Sequence, residues 1–203
     1  MDKYKLLLPC LFALLSFNVH ARDFRAEVQA GGTDGDVEIE SPLFPNIDKG
    51  AETGAALGGA VWLDGWLLET VSVGAQYAYL FGNDLENDQS ADKLEFDTHI
   101  FTVNVVFRDN VGSFGGKFHP YAGGGIGFAR VNVESFLAGQ EGDDIDFAGQ
   151  AIAGFDYDLT DNFYFGVDFT YLFYQAEPQV AGYPSATFDF ETIKFMGKLG
   201  MKF

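Results

Sequence analysis

Residues 163–174 read FYFGVDFTYLFY, and this stretch decides the fold because large apolar side chains alternate in it with small or polar ones. The apolar positions are Phe165, Val167, Phe169, Tyr171 and Phe173, and the residues between them include Gly166, Asp168 and Thr170. Successive side chains of a β-strand point to opposite faces, so a period of two predicts a strand with one apolar and one polar face.

The same alternation recurs along the chain and predicts eight strands. They cover residues 23–33, 51–62, 67–81, 95–108, 119–133, 146–158, 163–174 and 191–203. Short connectors are expected at 63–66, 109–118 and 159–162, and long ones at 34–50, 82–94, 134–145 and 175–190. An even number of strands joined alternately by short and long connectors is typical of outer-membrane barrels. The sequence therefore predicts an all-β fold, an eight-stranded antiparallel up-and-down transmembrane β-barrel over residues 22–203.

The polar face of the strands distinguishes the predicted membrane barrel from a water-soluble barrel. Its neutral members are short, namely Gln29, Thr70, Ser72, Thr98, Asn104, Gln150 and Thr170. A solvated face would carry many Lys and Glu, whereas a narrow lumen needs polar groups that pair with one another. We therefore expect lumen ion pairs among Arg25, Glu27, Glu52, Asp156, Asp168, Lys194 and Lys198, with Lys202 as a further cation.

Composition agrees with a division between lipid-facing and solvent-facing parts. The chain has 203 residues, 30 acidic and 12 basic, with a net charge of −18 and 16% aromatic residues. A strongly acidic protein repels nucleic-acid phosphates, so a nucleic-acid binder is excluded. Aromatic residues at strand ends, such as Tyr77, Tyr79 and Phe163, resemble the girdles of a bilayer interface. The alternative, core aromatics in a soluble β-sandwich, explains neither the connectors nor the N-terminus.

The N-terminus has the plan of a cleaved signal peptide over residues 1–21. Lys3 and Lys5 precede an apolar run from Leu6 to Phe17, and Ala21 is the expected last residue removed. The run is shorter than the roughly 20 apolar residues of a membrane anchor. The single cysteine, Cys10, lies within it, so we expect the exported chain to contain no thiol.

Two further motifs bear a family resemblance. HPYAGGGIG at 119–127 opens the fifth strand, and the chain closes with FMGKLGMKF at 195–203. With eight strands, this resembles the small outer-membrane barrels of the OmpA-like and OmpX-like superfamily, which include porin-like proteins and surface antigens. The resemblance implies a Gram-negative outer membrane. It also implies that Phe195, Leu199, Met201 and Phe203 form the signal read by the barrel assembly machinery.

Candidate chemistry beyond the barrel is sparse. His99 and His119 are the imidazoles after residue 21, and neither has an evident Ser and carboxylate partner, so we expect no catalysis. Acidic residues at 84–95 have the spacing of a calcium loop, but Gln89 stands where Gly is needed, so a solvated loop is favoured and no metal or cofactor is expected. Arg130, near the outer end of its strand, is a candidate for contact with a lipid phosphate.

The sequence thus predicts a structural or surface-interaction barrel with four acidic extracellular loops. Its expected partners are outer-membrane lipid and lipopolysaccharide, the assembly machinery, and a host or surface ligand bound by the loops, and we expect a monomer. The alternative is a small passive porin-like channel. A lipid-modifying enzyme is a third reading.

Overall fold

Eight strands in the described part of the chain close into a barrel. The computed structural model describes residues 23–41, 44–65, 68–86, 93–109, 115–135, 140–177 and 187–203. The strands are β1 (Asp23–Ser41), β2 (Phe44–Asp64), β3 (Val71–Glu86), β4 (Lys93–Arg108), β5 (Phe118–Ser135), β6 (Gln140–Asp158), β7 (Phe163–Ala176) and β8 (Thr187–Lys202). Each strand pairs antiparallel with its chain neighbours, and β8 closes onto β1. The predicted fold class is confirmed.

No helix long and apolar enough to cross a membrane occurs in the described part of the chain. The predicted signal peptide, residues 1–21, lies outside the described residues and stays a prediction.

The strand ends correct the predicted loops. At the end of the barrel that we call the upper end, the strands continue into the segments predicted as long connectors. The connectors that remain there are residues 42–43, 87–92, 136–139 and 177–186. At the opposite, lower end they are 65–70, 109–117 and 159–162, so the two ends differ in strand extension rather than in connector length. Thr70 was assigned to the polar face of a strand, but it is exposed in the turn before β3.

The sequence pattern did not predict the upper strand extensions, because apolar and polar residues exchange faces there. Over the middle and lower barrel, apolar side chains point outward, and the inward side chains are polar apart from a small apolar cluster that includes Trp62, Val106 and Ile152. At 188–191 the order is reversed: Phe188 and Phe190 are buried inside, and Glu191 is exposed outside. Water replaces lipid at this height, so the outer face becomes charged and the inner face becomes an apolar core.

A belt of exposed apolar side chains marks the membrane-spanning part. On β8 it runs from Ile193 to Phe203, and Ile193, Phe195, Leu199 and Phe203 are each at least 50% exposed. On β4 it includes Phe101, Val103, Val105 and Phe107. About nine to eleven tilted residues cross an apolar band about 25 Å tall, which matches the stretch from Ile193 to Phe203.

Glycines in β5 let neighbouring strands approach closely. A Cβ on Gly127 would lie 1.8 Å from the Phe101 carbonyl oxygen and 2.7 Å from the Thr102 Cα. On β8, a Cβ on Gly197 would meet nothing nearer than the Ala30 carbonyl oxygen at 3.8 Å. The two positions thus provide a matched pair for testing the packing of the wall.

We expect Gly127→Ala to destabilise the barrel by about 1–3 kcal/mol, because the backbone must shift to admit the methyl group. Gly197→Ala should leave the free energy of unfolding unchanged within about 0.5 kcal/mol, since it adds a methyl group on an open surface. Urea titration of the refolded proteins in detergent measures both. Equal losses in the two variants would contradict the close approach of β4 and β5.

Candidate functional site

The lumen is the first candidate site, and side chains fill it in three layers. The charged layer, near the lower end, contains Arg25, Glu27, Asp64, Arg108, Asp156, Asp168 and Lys198, all at most 8% exposed. Above it lies the amide layer of Gln29, Gln76, Thr102, Asn104 and Gln150. The apolar layer, near the upper end, is built around Leu80, Phe96, Ile100, Leu172, Tyr174, Phe188 and Phe190.

Asp156 is the centre of the charged layer. The Arg25 Nη1 donates to its Oδ2 at 2.8 Å, and Arg108 donates to the same oxygen. The Lys198 Nζ lies 2.8 Å from Asp156 Oδ1 and 3.1 Å from Asp168 Oδ1. Arg25 also forms a bidentate pair with Asp64, in which its Nε and Nη2 donate to the two carboxylate oxygens at 2.5 and 3.0 Å. Four strands are thereby tied through one carboxylate.

Neutral side chains complete the hydrogen bonds of Glu27. The Trp62 Nε1 and the Gln29 Nε2 donate to its Oε1 at 3.0 and 2.8 Å, and the Tyr164 hydroxyl donates to its Oε2 at 2.7 Å. Tyr121 lies under two cations, with its ring centroid 4.2 Å from the Arg108 Cζ and 4.3 Å from the Lys198 Nζ. Buried charges require such partners because their desolvation is costly.

The amide layer seals the middle of the lumen. The Gln150 Nε2 lies 2.7–2.9 Å from the side-chain oxygens of Gln76, Thr102 and Asn104. The Gln76 Nε2 in turn donates to the Gln29 Oε1 at 2.7 Å. These bonds join side chains of β1, β3, β4 and β6 across the interior.

The apolar layer closes the top with packed rings. The Phe96 centroid lies 6.0 Å from that of Phe188 and 5.5 Å from that of Phe190, both in edge-to-face orientation. Tyr174 stacks on Phe190 at 4.7 Å. Sequence reasoning missed this layer because Phe188 and Phe190 fell in a predicted loop. Their alternation with Asp189 and Glu191 was the signal that could have found it.

The structure brings together five of the seven residues proposed as lumen ion pairs: Arg25, Glu27, Asp156, Asp168 and Lys198. Lys194 is buried higher in the lumen, where Thr33 and Thr170 are its neighbours in the two flanking ladders. The side chain of Glu52 is outside those that the structure describes. Lys202 lies at the lower rim instead, with its Nζ 2.6 Å from Asp158 Oδ1.

Asp64 and Arg108 are lumen charges that the sequence reading missed. Asp64 fell in the predicted turn at 63–66, and Arg108 was the last residue of a predicted strand, so neither was counted as a lumen residue. Both have the even parity of the polar positions on their strands, such as Glu52 and Asn104, and this was the signal that could have found them. With them, the described part of the lumen holds four cations, Arg25, Arg108, Lys194 and Lys198, and four anions, Glu27, Asp64, Asp156 and Asp168. The described lumen charges are therefore equal in number and can neutralise one another.

The two histidines have structural neighbours. The His119 Nε2 lies 3.0 Å from Asp158 Oδ2, and its Nδ1 lies 2.7 Å from the Asp109 carbonyl oxygen, at the lower rim. The His99 Nδ1 lies 2.8 Å from the Tyr77 hydroxyl on the outer face, and its ring stacks on Tyr79 at 4.7 Å. Of the serine and carboxylate that a hydrolase requires, His119 contacts a carboxylate, whereas the contacts described for His99 are with tyrosines.

The remaining candidates lie at the upper end. Arg130 is on the outer face, where its Nη2 donates to Asp143 Oδ2 at 3.0 Å. Of the candidate calcium-loop segment, 84–86 and 93–95 belong to β3 and β4, and Asp84 is paired with Glu95 across a ladder. The intervening residues 87–92 lie outside the described part. A continuous loop from 84 to 95 is therefore excluded.

A closed antiparallel barrel with a side-chain-filled lumen and an external apolar belt defines a class of protein, the small outer-membrane barrels. This chain belongs to the outer membrane protein beta-barrel domain family, which matches residues 7–199. The family indicates an outer-membrane location, and the predicted resemblance is confirmed. A comparison with curated proteins finds no match.

Solved structures of low sequence identity share the fold. Neisserial surface protein A has a TM-score of 0.60 and 13% identity, covering 89% of this chain and 97% of that one. OprG from Pseudomonas aeruginosa has a TM-score of 0.54 and 16% identity, covering 88% and 95%. The outer membrane protease OmpT from Escherichia coli has a TM-score of 0.50 and 9% identity, covering 93% and 99%. At these identities the likeness concerns the fold alone.

We expect Asp156→Asn to destabilise the barrel by about 3–5 kcal/mol, since it leaves three buried cations short of a carboxylate. Asp143→Asn is the matched control, because it removes an acid whose side chain is 61% exposed. That change should cost less than about 1 kcal/mol. The midpoints of urea unfolding in detergent compare the two. Similar midpoints would show that the charged layer contributes no net stability.

Proposed function

We propose that this chain is an integral outer-membrane barrel with a structural or surface-interaction role and no catalysis. The observation that carries the proposal is the upper strand extension. There the outward residues Asp34, Asp36, Glu38 and Glu191 are exposed, while the inward residues pack as a core. A rigid acidic rim standing clear of the apolar belt suits recognition of a partner outside the membrane.

The channel alternative is not favoured. The amide and apolar layers occupy the lumen one above the other, and the charged layer blocks it below. An eight-stranded barrel has an interior that side chains just fill, which agrees with these three layers. We therefore assign the lumen a stabilising role rather than a transport role.

We also propose an export signal at the N-terminal end of the sequence and an assembly signal at its C-terminal end. Residues 1–21 act as a cleaved signal peptide of a Gram-negative secretory route. Phe195, Leu199 and Phe203 lie on the outer face of β8 with at least half of each side chain exposed, and Met201 is half-buried between them. This accessible stripe supports their role as the signal for the assembly machinery.

Partners are assigned by the charge and surface of each zone. The belt contacts outer-membrane lipid, and the acidic rim and its connectors meet lipopolysaccharide and a host or surface ligand. The barrel acts as a monomer and as a surface antigen, with neither cofactor nor nucleic acid. An acidic rim favours a cationic ligand, or one approached through divalent ions.

The orientation is tested by epitope insertion. A tag placed between β3 and β4, at the upper end, should bind antibody on intact cells because this connector faces outward. A tag in the lower turn at 159–162 should bind antibody only after permeabilisation. The reverse pattern would overturn the proposed role of the acidic rim.

Absence of transport and catalysis is tested with the purified wild-type protein and with expressing cells. We expect no sustained open state in planar bilayers, because all three lumen layers must part before ions pass. Lipid A from expressing cells should keep its mass. A reproducible open state abolished by Lys194→Gln and Lys198→Gln would establish the channel, and a mass change in lipid A would establish the enzyme.

A further inference from the structure

The outer face of β3, β4 and β5 carries a polar row directly above an aromatic row. The polar row consists of Tyr79, His99 and Arg130, which are consecutive partners across two ladders. The aromatic row below it consists of Tyr77, Phe101, Phe128 and Phe147, which are consecutive partners across β3, β4, β5 and β6. Each of these four rings is at least 45% exposed.

We propose that this face binds one phosphorylated, acylated glycolipid of the outer leaflet, with a phosphate at Arg130 and His99 and acyl chains on the aromatic row. The proposal deepens the proposed function, since it places the upper end in the outer leaflet. Neighbouring strands lie about 4.8 Å apart, so the four-strand row is about 14 Å wide, enough for more than one chain.

Arg130 supplies the charge that selects a phosphate. Among the residues whose side chains the structure describes, it is the one cation on the outer face at the upper edge of the belt. One guanidinium nitrogen donates to Asp143. The two side chains are 50% and 61% exposed, so the ion pair is solvated and contributes little to stability. The guanidinium can therefore turn to a phosphate, for which its planar fork is suited.

The neighbours of Arg130 hold the site in shape. The His99 ring is stacked on Tyr79 and bonded to the Tyr77 hydroxyl at 2.8 Å, so it stays on the face beside Arg130. Asp97 is the nearest acid on β4, one row above His99, and Asn132 stands opposite it on β5. Asp143 is paired with Arg130, and Asp97 is exposed in the same row as Asp143, one step above the polar row.

The opposite face of the barrel has the wrong charge for the same ligand. There the outer positions above the belt are Glu191 on β8 and Asp34 on β1, both exposed. A phosphate would be repelled at that side. The asymmetry predicts one lipid site on one face, rather than an even annulus.

Native mass spectrometry of the refolded barrel with added diphosphorylated lipid A tests the proposal. Arg130→Gln should weaken binding about tenfold, because a charge-assisted pair to the phosphate is lost. Lys117→Gln, which removes a cation at the lower turn, is the charge control and should bind as the wild type does. Phe128→Ala should also weaken binding, whereas Phe169→Ala, an exposed ring on β7, should not.

Three results would overturn the site: wild-type affinity in Arg130→Gln, equal binding of fully dephosphorylated lipid A, or displacement of the lipid by millimolar inorganic phosphate. The last would mean that free phosphate is the ligand and that the aromatic row adds nothing. Heat-modified migration on gels checks that each variant is folded. Binding in vitro does not depend on orientation, so failure here is separate from failure of the epitope test.

Discussion

Closure of the backbone ladder between β1 and β8 is the constraint on which the rest of the structure depends. In a bilayer no water can satisfy a free N–H or C=O group, so a strand can cross only if both its edges are paired. The β1–β8 register runs from Arg25 and Lys202 at the lower end to Glu40 and Thr187 at the upper end. Closure fixes which side chains share the lumen, and it brings Arg25 and Lys198 onto the same carboxylate, Asp156.

The barrel has two zones, the belt and the part above it, because its strands pass from lipid into water. In the belt, lipid accepts apolar side chains and the polar groups are forced inward, where they pair as the charged and amide layers. Above the belt, water accepts the charges of Asp36 and Glu38, and Val37 turns inward between them. The same two-residue alternation therefore gives a polar interior in the belt and an apolar interior above it. The height of the bilayer sets the boundary between the two.

This division also explains how much of the structure the sequence could predict. Apolar alternation at 163–174 and its seven repeats predicted the strands and their number correctly. The upper extensions of β1 and β8 were missed because Asp and Glu dominate their outer face, and charged residues are typical of loops. Asp64 and Arg108 were missed because local alternation does not fix where a strand ends, although both have the parity of the polar face.

By itself, the sequence determined the family, the strand count, the lipid-facing side chains and most of the polar residues that share the lumen, because period and polarity are local properties of a strand. The tertiary structure decided which charges meet, that Asp156 is shared by Arg25, Arg108 and Lys198, and that Tyr79, His99 and Arg130 form one row. These contacts join residues far apart in the chain, so they depend on the register and closure of the barrel, which the side-chain period leaves open.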